Sequence, residues 1–225
     1  MTYGFRAFND SAYVQIDSET PRLCALYNGT YQGSSYQVTI NFPSPIATPE
    51  PPCIFIRPTT TSETELYRSI TVNGSPGNWV GFSISTSNVG FLPSGKWFAS
   101  VFGSRGAASY GLRLFGADGS VLYDSGAPAV IVTGVVQAWT YAGRSAGTLA
   151  NYYFWRANRQ VAEDEYIMIN PFSLPAITAT TPAASPLAVR INYVGGFVEI
   201  FQEGPSGTVM TNKGNIPAVF GRLHY

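Results

Sequence analysis

The chain's strongest acidic feature is a run of three carboxylates, Glu163, Asp164 and Glu165, with Asp10, Asp17 and Asp124 elsewhere. Two carboxylates across a groove are what a glycosidase needs, one to protonate the leaving oxygen and one to attack or to activate water. A short acidic run ahead of a strand also reads as a solvated turn, and Asp17 and Asp124 stand where a hairpin would end. That second reading is the expectation, and no catalytic residue is assigned.

Other chemistries find fewer parts. A serine nucleophile usually works through a base, and the single histidine, His224, is the penultimate residue and reads as a solvated side chain. Cys24 and Cys53 with one distant histidine do not make a zinc ligand set, and they are expected as buried free thiols rather than a disulfide. No glycine-rich phosphate loop occurs. Asp10 and Asp118 lack the following series of oxygen ligands that a calcium loop requires and read as hairpin-turn residues. The chain is therefore expected to be no enzyme and to hold no cofactor or metal. Tyr31, Tyr36, Trp79, Trp97, Tyr152, Tyr153 and Trp155 could line a sugar platform or a protein interface, but at least half are expected in packing, so no binding residue is assigned.

The elements that carry these residues are strands. Residues 3–21 read YGFRAFNDSAYVQIDSETP and residues 110–128 read YGLRLFGADGSVLYDSGAP, which align without a gap at a constant offset of 107, the separation of Tyr3 and Tyr110. Identities fall at Tyr3/Tyr110, Gly4/Gly111, Arg6/Arg113, Phe8/Phe115, Val14/Val121, Asp17/Asp124, Ser18/Ser125 and Pro21/Pro128. This is an internal duplication, and each copy has the period of a β-hairpin with a polar turn. Arg6 and Arg113 are placed to pair across their hairpins with Asp17 and Asp124. A lone hairpin is marginal in water, so each copy needs further strands.

Further strands are expected where β-branched and aromatic residues cluster: 36–41, 53–57, 69–72, 80–85 and 96–102 in the first half, and 130–136, 150–157, 166–170, 188–193, 197–202 and 219–223 in the second. Turn signals at Asn73-Gly74, Pro93-Ser94-Gly95 and Gly195-Gly196 separate several of them, and no stretch has the pattern of an amphipathic helix. The proline-rich stretches 42–52 and 171–186 are expected as long exposed loops. With 225 residues, enough for two cores, the expected fold is all-β: two tandem antiparallel β-sandwich domains related by duplication, 1–106 and 107–225, with a seam near 103–109.

Charge narrows the partners. Charged residues make up only 12% and the formal net charge is zero, which leaves no basic footprint for nucleic acid or an anionic membrane surface. Residues 1–20 carry no basic stretch followed by an apolar run, and no window has the ~18 apolar residues of a membrane span. Folding in a cytoplasm without membrane insertion is expected.

The run Tyr110-Gly111-Leu112-Arg113-Leu114-Phe115, the short Asp118-Gly119 turn and then Val121-Leu122-Tyr123-Asp124-Ser125 together resemble a unit of the small tail-tip and tail-fibre-associated proteins of long-tailed bacteriophages. Residues 3–18 look like the same unit, and the resemblance covers only these two hairpins. It implies a virion component at the distal end of the tail, made in the host cytoplasm and attached to a baseplate hub or fibre. It also implies several symmetric copies and no catalytic residues; a homotrimer is expected first and a six-fold ring next. The long loops would dock neighbouring tail proteins. A module binding a host glycan or protein receptor is the alternative, and a surface-polysaccharide hydrolase ranks third.

Overall fold

The computed structural model describes residues 6–8, 14–17, 21–59, 67–86, 91–103, 109–146, 150–173, 175–178, 181–205 and 216–224. In the first half the strands are β1 (Arg6–Phe8), β2 (Val14–Asp17), β3 (Leu23–Gln32), β4 (Gln37–Ile46), β5 (Cys53–Pro58), β6 (Tyr67–Ser75), β7 (Asn78–Thr86) and β8 (Ser94–Phe102). The second half holds β9 (Arg113–Phe115), β10 (Val121–Asp124), β11 (Ala129–Val136), β12 (Thr140–Ala146), β13 (Ala150–Asn158), β14 (Tyr166–Met168), β15 (Pro175–Thr178), β16 (Thr181–Asn192), β17 (Phe197–Pro205) and β18 (Ala218–His224). One 3-10 turn, Asn170–Ser173, is the only helical element among the described residues.

Two hairpins, β1–β2 and β9–β10, stand apart from two larger layers. One layer is a six-stranded closed barrel in the order β11-β18-β14-β5-β8-β3, shut by the pairing of Ala129 with Cys24. The other is a sheet in the order β12-β13-β17-β16-β6-β7-β4, with β15 hydrogen-bonded to β16. All pairings are antiparallel.

Strand alternation builds two cores from the barrel. Phe55, Phe98 and Ala25 are buried with Leu23, Cys53, Val130, Tyr166, Met168 and Leu223, a set drawn from all six barrel strands, so it fills the interior. Phe55 stacks on Phe98 at a centroid distance of 4.6 Å and Tyr166 meets Phe98 edge-on at 4.9 Å. Their chain neighbours Ile54, Ile56, Trp97 and Ile167 point the other way and pack with Phe82, Ile84, Tyr153, Trp155, Val189, Val198 and Ile200 of the sheet. The barrel therefore sits on the sheet over a continuous apolar layer, and each fully buried side chain of this size contributes about 2 kcal/mol.

Both layers draw on both sides of position 107. In the barrel β5 pairs β14 and β3 meets β11, and in the sheet β6 pairs β16. Strand order repeats outward from these junctions: β5, β8, β3 against β14, β18, β11, and β6, β7, β4 against β16, β17, β13, with β12 beyond β13. The bulge between Ala25 and Tyr27 in β3 recurs between Val132 and Gly134 in β11, again at the offset of 107. Each half supplies three of the six barrel strands, which would leave unpaired edges on their own.

Several local expectations change. The 171–186 stretch is not a loop: after the 3-10 turn, β15 pairs with the start of β16, Pro175 opposite Pro186, because the intervening Ala and Thr residues can form a ladder at the sheet's periphery. Residues 42–46 belong to β4, where the register jumps from Asn41 to Ile46 and the Pro43–Pro45 segment bulges out. Asn73-Gly74 lies inside β6, with Gly74 at φ 124°, and the turn comes later at Pro76-Gly77, where Gly77 has φ 82°. β3 and β12 were not foreseen.

Candidate functional site

The acidic run lies in the connection from β13 to β14, where arginines from three directions hold it. Glu165 is 7% exposed; its Oε1 accepts from Arg159 Nη2 at 2.8 Å and its Oε2 accepts the Ala162 N–H at 2.9 Å. Arg57, from β5, donates Nη1 to the carbonyls of Ala162 at 2.6 Å and Glu165 at 3.1 Å while its guanidinium lies 4.8 Å from the Tyr193 ring centroid. Arg159 covers the Phe220 ring at 4.3 Å, and Arg222 reaches exposed Asp164 at 3.2 Å. Burial pushes the Tyr193 hydroxyl up to about 12, against the opposing pull of Arg57, and that hydroxyl donates to the Pro58 carbonyl at 3.1 Å. Glu165 thus serves as an anchor with both oxygens engaged. Glu163 instead lines two adjoining surface grooves with Lys96, one of about 550 Å³ beside Thr30, Trp97 and Tyr166 and one of about 520 Å³ beside Arg57, Gln160 and Tyr193. Asp164 lines the first groove as well, so the carboxylates there, one of them bonded to Arg222, offer hydrogen-bond acceptors to a polar ligand.

The second constellation is the β9–β10 hairpin. Arg113 pairs with Asp124, Nε and Nη2 each 2.7 Å from Oδ2, while Asp124 Oδ1 accepts the Gly126 N–H at 2.8 Å. Asp118 makes the expected turn, its Oδ1 accepting from the Ser120 N–H at 3.0 Å and hydroxyl at 2.7 Å, and these bonds hold its carboxyl below the usual range. Around this polar frame Tyr110, 90% exposed, and Phe115, 57% exposed, present apolar surface with Leu112 beside a shallow pocket of about 240 Å³. A small salt-bridged hairpin carrying solvent-facing aromatics is suited to contact with another protein.

A third cluster occupies the sheet's other face. Glu199 of β17, 1% exposed, is held between Arg156 of β13, at 3.0 Å, and Arg190 of β16, which donates to its second oxygen. Arg156 also lies 3.7 Å over the Phe197 ring. A guanidinium on either side of one buried carboxylate ties three neighbouring strands together.

The remaining sequence candidates separate. Tyr31, Trp79, Trp97, Tyr153 and Trp155 are in the core, Tyr152 stacks on Phe201 on the opposite face of the sheet, and Tyr36 is exposed. Cys24 is buried and Cys53 half-buried, both as cysteine thiols, on barrel positions that face opposite sides. His224 ends β18, exposed. Asp10 and the side chains of Arg6 and Asp17 lie outside the described residues. Among the described residues no group of three or more His, Cys, Asp or Glu could hold a metal ion. Arg57 and Glu199 carry no local sequence signal because their partners lie on other elements, and neither Arg159, paired with Glu165 six residues on, nor Lys96 on the grooves belongs to a recognisable motif. No protein-family model, curated protein or solved structure matches the chain.

Proposed function

We propose that the protein is a structural component of the tail tip of a long-tailed bacteriophage, joined to a baseplate hub or fibre, and that it works in virion assembly and host attachment without catalysing a reaction. The observation that carries this reading is the β9–β10 hairpin, the unit on which the resemblance rests, which presents Tyr110, Leu112 and Phe115 to solvent on a frame tied by Arg113 and Asp124. Exposed aromatics on a braced hairpin favour a protein partner, here another tail protein. The reading includes duplication of one ancestral half, supported by the shared offset of the hairpins and of the β3 and β11 bulges. It also places the protein in the virion after assembly in the host cytoplasm, as a homo-oligomer, a trimer or a six-fold ring.

A second reading is favoured by the paired grooves at Lys96 and Glu163: a module that binds a host-surface glycan or protein. Polar side chains that can meet sugar hydroxyls line both grooves. A polysaccharide hydrolase ranks below both because Glu165, the buried carboxylate of the acidic run, is engaged at both oxygens. Quantitative mass spectrometry of purified tailed particles tests the leading reading. It expects the chain at a fixed small-integer ratio to other tail proteins, and absence from the particles would overturn it.

A further inference from the structure

The sheet ends differently on its two sides. β13 is covered by β12, from Thr140 opposite Arg156 to Ala146 opposite Asn151. At the other end β4 pairs β7 on one side and, among the described residues, no strand on the other. The phase of that ladder is set by the Thr86 N–H, which donates to the Tyr36 carbonyl at 2.8 Å. Residues 38 and 40 therefore exchange bonds with Ile84 and Phe82, and the N–H and C=O groups of Gln37, Thr39 and Asn41 point outward.

Edge strands are normally guarded by proline, charge or a bulge. β12 carries such guards in Gly143, at φ 137°, where its register shifts, and exposed Arg144. The stretch Gln37-Val38-Thr39-Ile40-Asn41 carries none, and its prolines begin only at Pro43. The stretch is also complementary to itself. Antiparallel pairing about Thr39 sets Gln37 against Asn41, Val38 against Ile40 and Thr39 against its own copy. The outward-bonding residues 37, 39 and 41 then meet only one another, so every outward N–H finds an outward carbonyl. On the inner face Val38 and Ile40, half-buried against the core, would cover each other, and on the outer face amide would meet amide.

We propose that the β4 edge, Gln37–Asn41, is an interface with a second copy of this chain, which adds its own β4 antiparallel and joins two sheets into one across a two-fold axis. The contact rests on the geometry of β4 and stands whether or not the tail-tip reading holds. Being two-fold, it is not the neighbour contact of a trimer or of a six-fold ring closed by cyclic symmetry alone; it makes a dimer, or joins two such rings.

The test is light scattering of the purified full chain over a range of concentration, beside Thr39→Pro and Thr39→Val, with amide exchange on the wild type. Proline at position 39 removes an outward donor and no bond of the β4–β7 ladder, while valine keeps the donor and, like proline, loses only the hydroxyl contact with Ser83. The expected result is a dimer for wild type and Thr39→Val, with the Gln37, Thr39 and Asn41 amides protected, and a twofold fall in mass for Thr39→Pro. A wild-type monomer whose three amides exchange freely at every concentration overturns the proposal even if Thr39→Pro does not fold. So does an oligomer that a folded Thr39→Pro leaves intact, or protection that arises only when a different protein is added.

Discussion

Arg113 stands opposite Asp124 across β9–β10, and 107 residues earlier Arg6 stands opposite Asp17 across β1–β2 in the same register. The match extends through each ladder: Ala7 with Ile16 against Leu114 with Tyr123, then Phe8 with Val14 against Phe115 with Val121, with an irregularity at the same step. A bulge shifts every later side chain to the other face, so its repetition keeps the arginine and the aspartate in equivalent places. In the second hairpin the pair closes into a salt bridge whose carboxylate is 1% exposed.

Asp124→Ala removes the acceptor for Arg113 and for the Gly126 N–H together. It is expected to lower stability by about 1–3 kcal/mol, the cost of leaving part-buried donors unpaired, and Arg113→Ala by at least as much, since it leaves the buried carboxylate without its counter-charge. Urea unfolding of both variants and the double variant gives the coupling directly. Losses equal and fully additive would show that the pair does not brace the hairpin.

Glu199→Gln leaves Arg156 and Arg190 facing an uncharged amide at the outer face of the sheet. Removing one member of a buried charged set costs about 3–5 kcal/mol, so a large fall in the denaturation midpoint is expected. A loss below about 1 kcal/mol would mean that water reaches the cluster.

How far such residues can be read in advance depends on where their partners lie. The strands at 53–57, 130–136 and 197–202 were legible because β-branched and aromatic residues cluster there, and the Arg–Asp pairing was legible because it repeats. β3 was not, since Asn28-Gly29 interrupts its pattern and reads as a turn. The sharing of both layers between halves was hidden for a different reason: pairings such as Ile56 with Ile167 join distant positions whose local sequence is equally suited to any buried strand. Glu199 looks like an ordinary solvent-facing strand residue until β13 and β16 bring an arginine to each side.

Alkaline pH should unfold the protein through its buried phenols. Tyr193 is raised from about 10 to about 12 by burial, and Tyr31 is pushed well above its ordinary value by burial and by the neighbouring Tyr67. A raised folded-state value means that folding favours the protonated phenol, so this contribution is complete below pH about 10 and is lost as pH climbs through 12. Denaturation midpoints measured from pH 8 to 12 should hold level and then fall, less steeply in Tyr193→Phe. An unchanged slope in that variant would assign the loss elsewhere.

The two thiols should differ in reactivity and agree in redox behaviour. Burial pushes the Cys53 thiol up and Cys24 is 2% exposed, so alkylation of the native protein should be slow at Cys53 and slower at Cys24. Their side chains leave opposite faces of the barrel wall, and reductant should not shift the unfolding midpoint. Peptide mapping after timed iodoacetamide treatment checks the order, and faster labelling of Cys24 would contradict the packing of β3.

A tail-tip role requires the exposed hairpin to be an assembly surface. The most direct measurement is the mass of the chain by light scattering, mixed with candidate hub and fibre proteins, for wild type and for a Tyr110→Ser, Phe115→Ser variant whose circular dichroism and melting match wild type. The predicted result is a stable complex with wild type that is lost in the variant. A complex that the variant forms equally well, or a wild type that joins no tail protein and instead binds host cells or their polysaccharide, would contradict the assembly reading.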